Sequence, residues 1–284
     1  VGGSPLMYSI GVGLADSYST ITKFDNPEGA LNNYYEGKRI GEIWGYVTDG
    51  FIQDEAEAQR MATIQGDISK TWKVGDIRYK DLDGVEGITS AKTIYNTGDQ
   101  KVIGNTTPRY SFNINASASW KGFDVRVFFE GIAKRDLWID SPVFWGFPSN
   151  SNVWQSAVND YHVDNSWSEN NTNAYYPLPS YSGRSKQTQT KYLQNGAYIR
   201  LKDLTISYTI PKAWISTVGI EQLKVFASGQ NLWVGTKLFK YLDPDIVSTR
   251  QSNSKDNKLV GNLTSDGKAY PFSRTFSFGI NLTF

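Results

Sequence analysis

Aromatic side chains crowd one stretch of the sequence, residues 133–197. Trp138, Phe144, Trp145, Phe147, Trp154, Tyr161, Trp167, Tyr175, Tyr176 and Tyr181 lie there among many Asn and Ser. A ring face stacks on the apolar C–H face of a sugar, and neighbouring amides and hydroxyls supply donors and acceptors for the sugar hydroxyls. Trp138, Trp145, Trp154, Trp167, Tyr175 and Tyr176 are therefore candidates for ligand contact. The competing assignment packs the same rings within the segment or against a partner protein, since Tyr and Trp are also enriched at interfaces.

Other chemistry is thin. The run Asp81-Leu82-Asp83-Gly84-Val85-Glu86-Gly87 clusters carboxylates around a Gly turn, as a calcium loop does. It lacks the full D-x-[DN]-x-[DN]-G spacing and the distal Glu, so a solvated turn competes with a cation held by Asp81, Asp83 and Glu86. No other cofactor is expected. With no Cys and one His, His162, neither a thiol nucleophile nor a multi-histidine metal centre can be built. Asp160 and Asp164 flank His162 without a placed Ser, and no carboxylate pair is marked for glycoside hydrolysis. A formal charge of +1 gives no field for gripping nucleic acid. The expectation is a binding or transport protein rather than an enzyme.

The elements that must carry these residues read as β-strands. In 274–284 Phe276, Phe278, Ile280, Leu282 and Phe284 alternate with Thr, Ser, Gly and Asn. The stretches 7–18, 111–120, 123–132, 198–210 and 222–232 alternate likewise, and 40–51 does so more weakly. In 123–132 the polar positions Asp124, Arg126 and Glu130 oppose Phe123, Val125, Val127 and Phe129. These strands are longer than a sandwich needs and close to the ~9–11 residues that cross a bilayer at a tilt. Connections alternate between short (121–122, 211–221) and long (52–110, 133–197, 233–273), as in outer-membrane barrels. Trp120, Phe123, Tyr208 and Phe284 sit at strand ends, where an interfacial girdle belongs. The pattern predicts a transmembrane antiparallel β-barrel of the all-β class, with Asp124, Arg126 and Glu130 lining the lumen. With Phe284 periplasmic, seven strands place every long connection outside the cell and 19–39 in the periplasm. Seven is odd, and open edges do not face lipid, so the chain reads as part of a larger barrel. The alternative is a soluble, surface-exposed carbohydrate-binding β domain.

Several motifs also resemble those of SusC/RagA-like TonB-dependent transporters. They are GEIWGYVTDGF (41–51), VGDIRYKDLDG (74–84), VIGNTTPRYSF (102–112), WKGFDVRVFFEG (120–131), KRD (134–136), YLQNGAYIRLKDLTISYTIPK (192–212), SGQNL (228–232) and SFGINLTF (277–284). In order they span nearly the whole chain. The resemblance implies the C-terminal part of a barrel of about 22 strands, strands 16 to 22, in the outer membrane of a Gram-negative bacterium. It also implies a signal peptide, a plug and a TonB-contacting segment outside these residues. A SusD-like surface lipoprotein would act as lid, the cargo would be an oligosaccharide or peptide, and Phe284 would belong to a C-terminal assembly signal. The turn 84–87 departs from the family's usual Asn-Gly-Asp-Gly, which weakens the calcium reading.

Overall fold

A computed structural model describes residues 5–149, 153–215, 219–247, 249–253, 259–265 and 270–284. In chain order its strands are β1 (Met7–Ala15), β2 (Glu42–Tyr46), β3 (Thr48–Phe51), β4 (Ile77–Tyr79), β5 (Gln100–Asn105), β6 (Arg109–Trp120) and β7 (Phe123–Lys134). There follow β8 (Asp136–Ile139), β9 (Gln194–Asn195), β10 (Tyr198–Thr209), β11 (Gln222–Thr236), β12 (Thr249–Asn253), β13 (Leu259–Ser265) and β14 (Thr275–Thr283). The helices are α1 (Glu55–Ile64), α2 (Pro142–Trp145), α3 (Asp160–Asn165) and α4 (Lys212–Ile215).

The period-two alternation becomes one antiparallel sheet in the order β1-β6-β7-β10-β11-β14. Its registers carry sequence pattern into surface chemistry. One row of directly paired residues reads Tyr8, Ala118, Val125, Ile206, Ala227, Phe278. Two residues along lies Ile10, Ala116, Val127, Leu204, Gly229, Phe276. The row between them, on the opposite face, is Ser9, Ser117, Arg126, Thr205, Ser228, Ser277. Successive side chains of a strand point to opposite faces, so one face is apolar across six strands and the other polar. At Leu201/Asp203 a bulge leaves Lys202 as an extra residue against β7, while against β11 the extra residue lies on β11 between Gln230 and Trp233, and the rows resume in phase beyond it.

The hydrophobic core lies elsewhere. Its buried members, among them Ile43, Tyr46, Ile52, Met61, Trp72, Leu137, Phe144, Trp145, Tyr192 and Phe239, all come from the connections and short strands outside the six-stranded sheet. Nothing among the described residues covers the sheet's apolar face: Ile206, on an interior strand, is 47% exposed and Phe278 is 82% exposed. A water-soluble sandwich buries that face first, so the arrangement is that of a wall facing hydrocarbon with a packed body at one end.

All long connections (16–108, 135–197 and 237–274) leave from the same end of the sheet and build that body. Within it β2 pairs β5, β3 pairs β4, and β12, β13, β8 and β9 form a four-stranded sheet. The short links 121–122 and 210–221 lie at the opposite end. The first is a two-residue turn with positive φ at both Lys121 (48°) and Gly122 (88°), the hairpin type whose twist matches its strands. A Cβ on Gly122 would come within 2.9 Å of the Thr209 carbonyl.

The stretch 40–51 is not a wall strand. It breaks at Val47 into β2 and β3, of five and four residues, too short to cross a bilayer. Ile43, Gly45 and Tyr46 are buried together, so its pattern reflects a buried ribbon rather than one wet and one greasy face. Among the described residues the wall sheet has six strands where the sequence pattern predicts seven. The segment 19–39 therefore belongs to the long-loop end, and β1 runs opposite to the expected sense. The alternation of short and long links survives because removing one strand merges two links into one long loop.

Candidate functional site

The polar face of the wall is lined with charge, and the registers explain which groups meet. Asp124 on β7 lies opposite Ser119 on β6 and Ser207 on β10. It accepts hydrogen bonds from Ser119 Oγ at 2.6 Å and Ser207 Oγ at 3.4 Å, and pairs with Lys224 Nζ at 2.7 Å. Glu130 pairs with Lys202 Nζ at 2.8 Å, and that ammonium also reaches Asp245 at 2.7 Å. The guanidinium of Arg200 is buried and pairs with Asp243, with Asp245 at 3.6 Å. Tyr198 donates its hydroxyl to Asp245 at 2.9 Å. The loop after β11 is thus fastened to the wall by carboxylates that meet two cations of β10.

The three expected lumen residues share this face but do not form a ladder with one another. Asp124 and Glu130 are satisfied by lysines of neighbouring strands. Arg126 has no ion pair among the described residues and is exposed, in a cleft it lines with Asp124, Asp203, Thr205, Lys224 and Asn281. Sequence reading missed Arg200, Lys202, Asp243 and Asp245. Tyr198 and Arg200 are in phase on β10, a signal that was present. That Asp243-Pro244-Asp245 folds back onto them is set by tertiary structure.

The aromatic segment packs mainly on itself. Phe144, wholly buried, meets Trp145 (centroids 5.1 Å), Tyr176 (5.5 Å) and Phe239 (5.3 Å) edge to face. Trp145 and Tyr192 lie 4.7 Å apart, Trp138 and Trp145 5.8 Å, and Tyr176 stacks on Tyr192 at 6.1 Å. Edge-on aromatic pairs are favourable beyond the area they bury. Two polar tips are tied down: Trp145 Nε1 donates to the Ile139 carbonyl at 2.9 Å, and Gln194 Nε2 donates to Tyr175 Oη at 3.0 Å, whereas Tyr176 Oη is buried with no hydrogen-bond partner among the described residues. The Trp167 ring lies over Gly75, where a Cβ would come within 2.3 Å of it. Burial within a chain cannot be undone by adding more chain, so the buried faces of Trp138, Trp145, Trp167 and Tyr176 do not stack on a ligand in this conformation. Tyr175 is half-buried. Trp154 is different: it stands on a single 3-10 turn, 153–155, and is 93% exposed. Beside that turn Ser156 Oγ and Tyr181 Oη are 3.2 Å apart, and Tyr181 rests edge-on against Phe147.

His162 is a packing residue. It sits at the third position of α3, where its Nδ1 accepts from the Asn159 N–H while Asn159 Oδ1 caps His162 N–H. Its Nε2 donates to the Phe144 carbonyl at 3.1 Å. Burial holds its pKa below the usual histidine value.

The acidic turn brings Asp81 and Asp83 together with Asp99, not with Glu86. Asp99 accepts from the Leu82 and Thr89 N–H groups at 2.6 and 2.7 Å, Asp81 from Gly84 N–H and Asp83 from Val85 N–H. These carboxylates cap their own loops. At the short-turn end Trp120, Phe123 and Tyr208 occupy one row of the apolar face, with Phe123 and Tyr208 rings 4.4 Å apart. Phe284 lies one residue past β14 and is exposed.

No family model matches the chain. Two curated proteins of Formosa agariphila are similar in sequence. TonB-dependent receptor P3 is 30% identical over 249 residues, 88% of this chain. TonB-dependent receptor P26 is 26% identical over 222 residues, 74% of this chain. The chain spans only 22% and 20% of their lengths. Among solved structures, the RagAB peptide importer in its closed-closed state matches 100% of this chain and 28% of its own, with TM-score 0.65 and 19% identity. Its open-open state matches 98% and 27%, with TM-score 0.63 and 18% identity.

Proposed function

We propose that this chain, which belongs to the TonB-dependent receptors and carries motifs of their SusC/RagA-like kind, supplies wall strands and outer loops to an energised importer in the outer membrane of a Gram-negative bacterium. The observation that carries the reading is the set of uninterrupted apolar rows across β1, β6, β7, β10, β11 and β14, uncovered while the compact core sits at one end. β1 and β14 each have an unpaired edge, which hydrocarbon does not tolerate. Further strands pair with them and close a barrel of about 22, the number the family resemblance implies. A plug fills the lumen, a TonB-contacting region supplies the energy coupling, and a SusD-like lipoprotein covers the packed body as a lid.

The polar face fits passage of a hydrated cargo. Its fixed charges are mostly neutralised by partners, so the surface is wet without a strong field of one sign, and Arg126 is left to meet the plug or the cargo. The cargo we favour is an oligosaccharide, on the strength of Trp154 standing free beside the hydroxyls of Ser156 and Tyr181; a peptide is the other class. The test is a calorimetric titration of the intact transporter with its lid protein against panels of oligosaccharides and peptides. The expected result is saturable oligosaccharide binding weakened at least about tenfold by Trp154→Ala, the worth of one good stacking contact. Binding of peptides alone overturns the cargo assignment, and unchanged affinity of the variant removes Trp154 from the site.

A further inference from the structure

Trp154 stands on an excursion of the chain that leaves at Gly146 and returns at Ala157, where the Ala157 N–H donates to the Gly146 carbonyl at 2.8 Å. Ser156 lies on that excursion, whereas Tyr181 belongs to a later segment. Among the described residues no backbone hydrogen bond joins 147–149 to 180–183. One side chain spans them. Lys186 Nζ donates to the carbonyls of Phe147 at 2.9 Å, Pro148 at 3.0 Å and Ser180 at 2.7 Å. An ammonium has three N–H donors, and here each meets its own carbonyl. Burial pulls the Lys186 pKa down to about 8, against the opposing charge of Asp140, so at pH 7 the group is chiefly the ammonium. The span holds Phe147 edge-on to Tyr181 at 5.3 Å, with Ser156 Oγ 3.2 Å from Tyr181 Oη. Its other end is fixed. Lys186 closes the 3-10 turn Arg184–Lys186, whose other two members are tied to the buried Asp76, Arg184 by an ion pair at 2.6 Å and Ser185 through its hydroxyl at 3.0 Å. Ser185 Oγ also accepts from the Ile77 N–H at 3.1 Å, which joins the turn to β4.

We propose that Lys186 is a positioning residue for cargo: its ammonium clamps the excursion that carries Trp154 against the segment that carries Tyr181, and so sets the spacing of ring and hydroxyls that a sugar meets. Lys186 touches no cargo itself, because its donors are taken by the three carbonyls. A stacking ring and its flanking hydroxyls bind best when they are held together before the ligand arrives, since ordering them afterwards costs affinity. A compact ammonium with three donors suits carbonyls that converge on one point; the planar fork of Arg and the apolar end of Met do not. The inference rests on the assignment of Trp154 to an oligosaccharide cargo.

The experiment is a double-mutant cycle on the intact transporter with its lid protein, titrated calorimetrically at pH 7 with malto-, cello-, xylo- and mannohexaose, the tightest binder serving as probe. Lys186→Met is expected to weaken binding about tenfold, the loss of a charge-assisted contact. Lys186→Met/Trp154→Ala is expected to bind about as Trp154→Ala alone does, far short of the roughly hundredfold loss that independent effects would give, because without the ring the clamp has nothing to position. Lys186→Ala is expected to regain most of its affinity in propylammonium, which restores the atoms removed, and none in tetramethylammonium, which has no N–H. Without cargo, hydrogen exchange of 147–157 and 180–183 is expected to quicken in Lys186→Met while the wall strands exchange as in the wild type; heat-modifiable gel mobility checks that each variant folds. Wild-type affinity in Lys186→Met, losses that multiply in the double variant, equal rescue by both cations, or unchanged exchange overturns the proposal alone. Binding that Trp154→Ala leaves intact overturns the Trp154 assignment and the cargo role of Lys186 with it, and the cargo-free exchange then shows whether the clamp itself stands.

Discussion

An arginine placed on the apolar face of β10 should cost far more than one placed on the polar face of its neighbour. Leu204 lies four residues from Tyr208, which stands in the row of interfacial rings with Trp120 and Phe123. Four residues of strand span about 14 Å, and at a tilt of about 40° that is roughly 10 Å along the bilayer normal. An apolar band about 25 Å tall puts its midplane at about that depth, so Leu204 is close to the most expensive level for a charge. Leu204→Arg should therefore destabilise the barrel by about 2–4 kcal/mol, roughly 30- to 700-fold in the folding equilibrium. Gln230 belongs to the opposite face and is paired with Asp203. Gln230→Arg meets that carboxylate and water, and should change stability by less than about 1 kcal/mol. The assay is guanidinium unfolding of the intact transporter in phospholipid vesicles, followed by tryptophan fluorescence and gel mobility. Equal losses for the two variants, or a larger loss for Gln230→Arg, would refute the assignment of faces.

Three further outcomes concern the packed body. Phe144→Ala removes a fully buried ring that touches Trp145, Tyr176 and Phe239, and should cost about 3–5 kcal/mol locally; limited proteolysis should open the long loops while the wall keeps its heat-modifiable mobility. Asp76, fully buried, pairs with Arg184 at 2.6 Å and accepts from Ser185 Oγ at 3.0 Å. Asp76→Ala strands the Arg184 charge and should destabilise the body by about 3–5 kcal/mol, with part restored by Asp76→Ala/Arg184→Met, read by hydrogen exchange of β3 and β4. Burial lowers the pKa of His162 below its unfolded value, so between the two values the unfolded loop binds more protons. Stability of α3 and its neighbours should then rise with pH through that window and fall on acidification below about pH 6.5. Exchange rates measured from pH 5 to 7.5 should show this slope, and His162→Gln should flatten it.

Alternation revealed the wall because both of its faces are set by solvents that the sequence must match, lipid on one side and water on the other. Tyr8, Ile10, Val12 and Leu14 gave β1 its phase from local order alone, and Phe276 to Leu282 did the same for β14. The segment 40–51 alternates for another reason, since Ile43 and Tyr46 fill a core while Trp44 is half-buried; local pattern does not distinguish a buried ribbon from a lipid-facing strand. The aromatic loop shows the converse limit. Trp145 and Trp154 look alike in sequence, yet one is enclosed by Tyr192 and Phe144 and the other stands in solvent. Which ring is free depends on contacts as distant as Phe144 with Phe239. Likewise Asp99 joins Asp81 and Asp83 where Glu86 was expected, because β5 begins beside that loop, and Asp243 and Asp245 reach Arg200 and Lys202 only once the loop after β11 folds back.

The central claim is that one face of β10 and β11 touches hydrocarbon while the other faces water. These 284 residues contain no Cys, so single cysteines at Leu204, Thr205 and Ile206, and at Ala227 and Ser228, can carry spin labels in the transporter reconstituted into bilayers, any Cys elsewhere being replaced. Collision rates with oxygen, which concentrates in lipid, and with a water-soluble nickel chelate measure the two environments. Labels at 204, 206 and 227 should collide readily with oxygen and poorly with nickel, and labels at 205 and 228 the reverse. Absence of this alternation, or alternation in the opposite phase, would contradict the account.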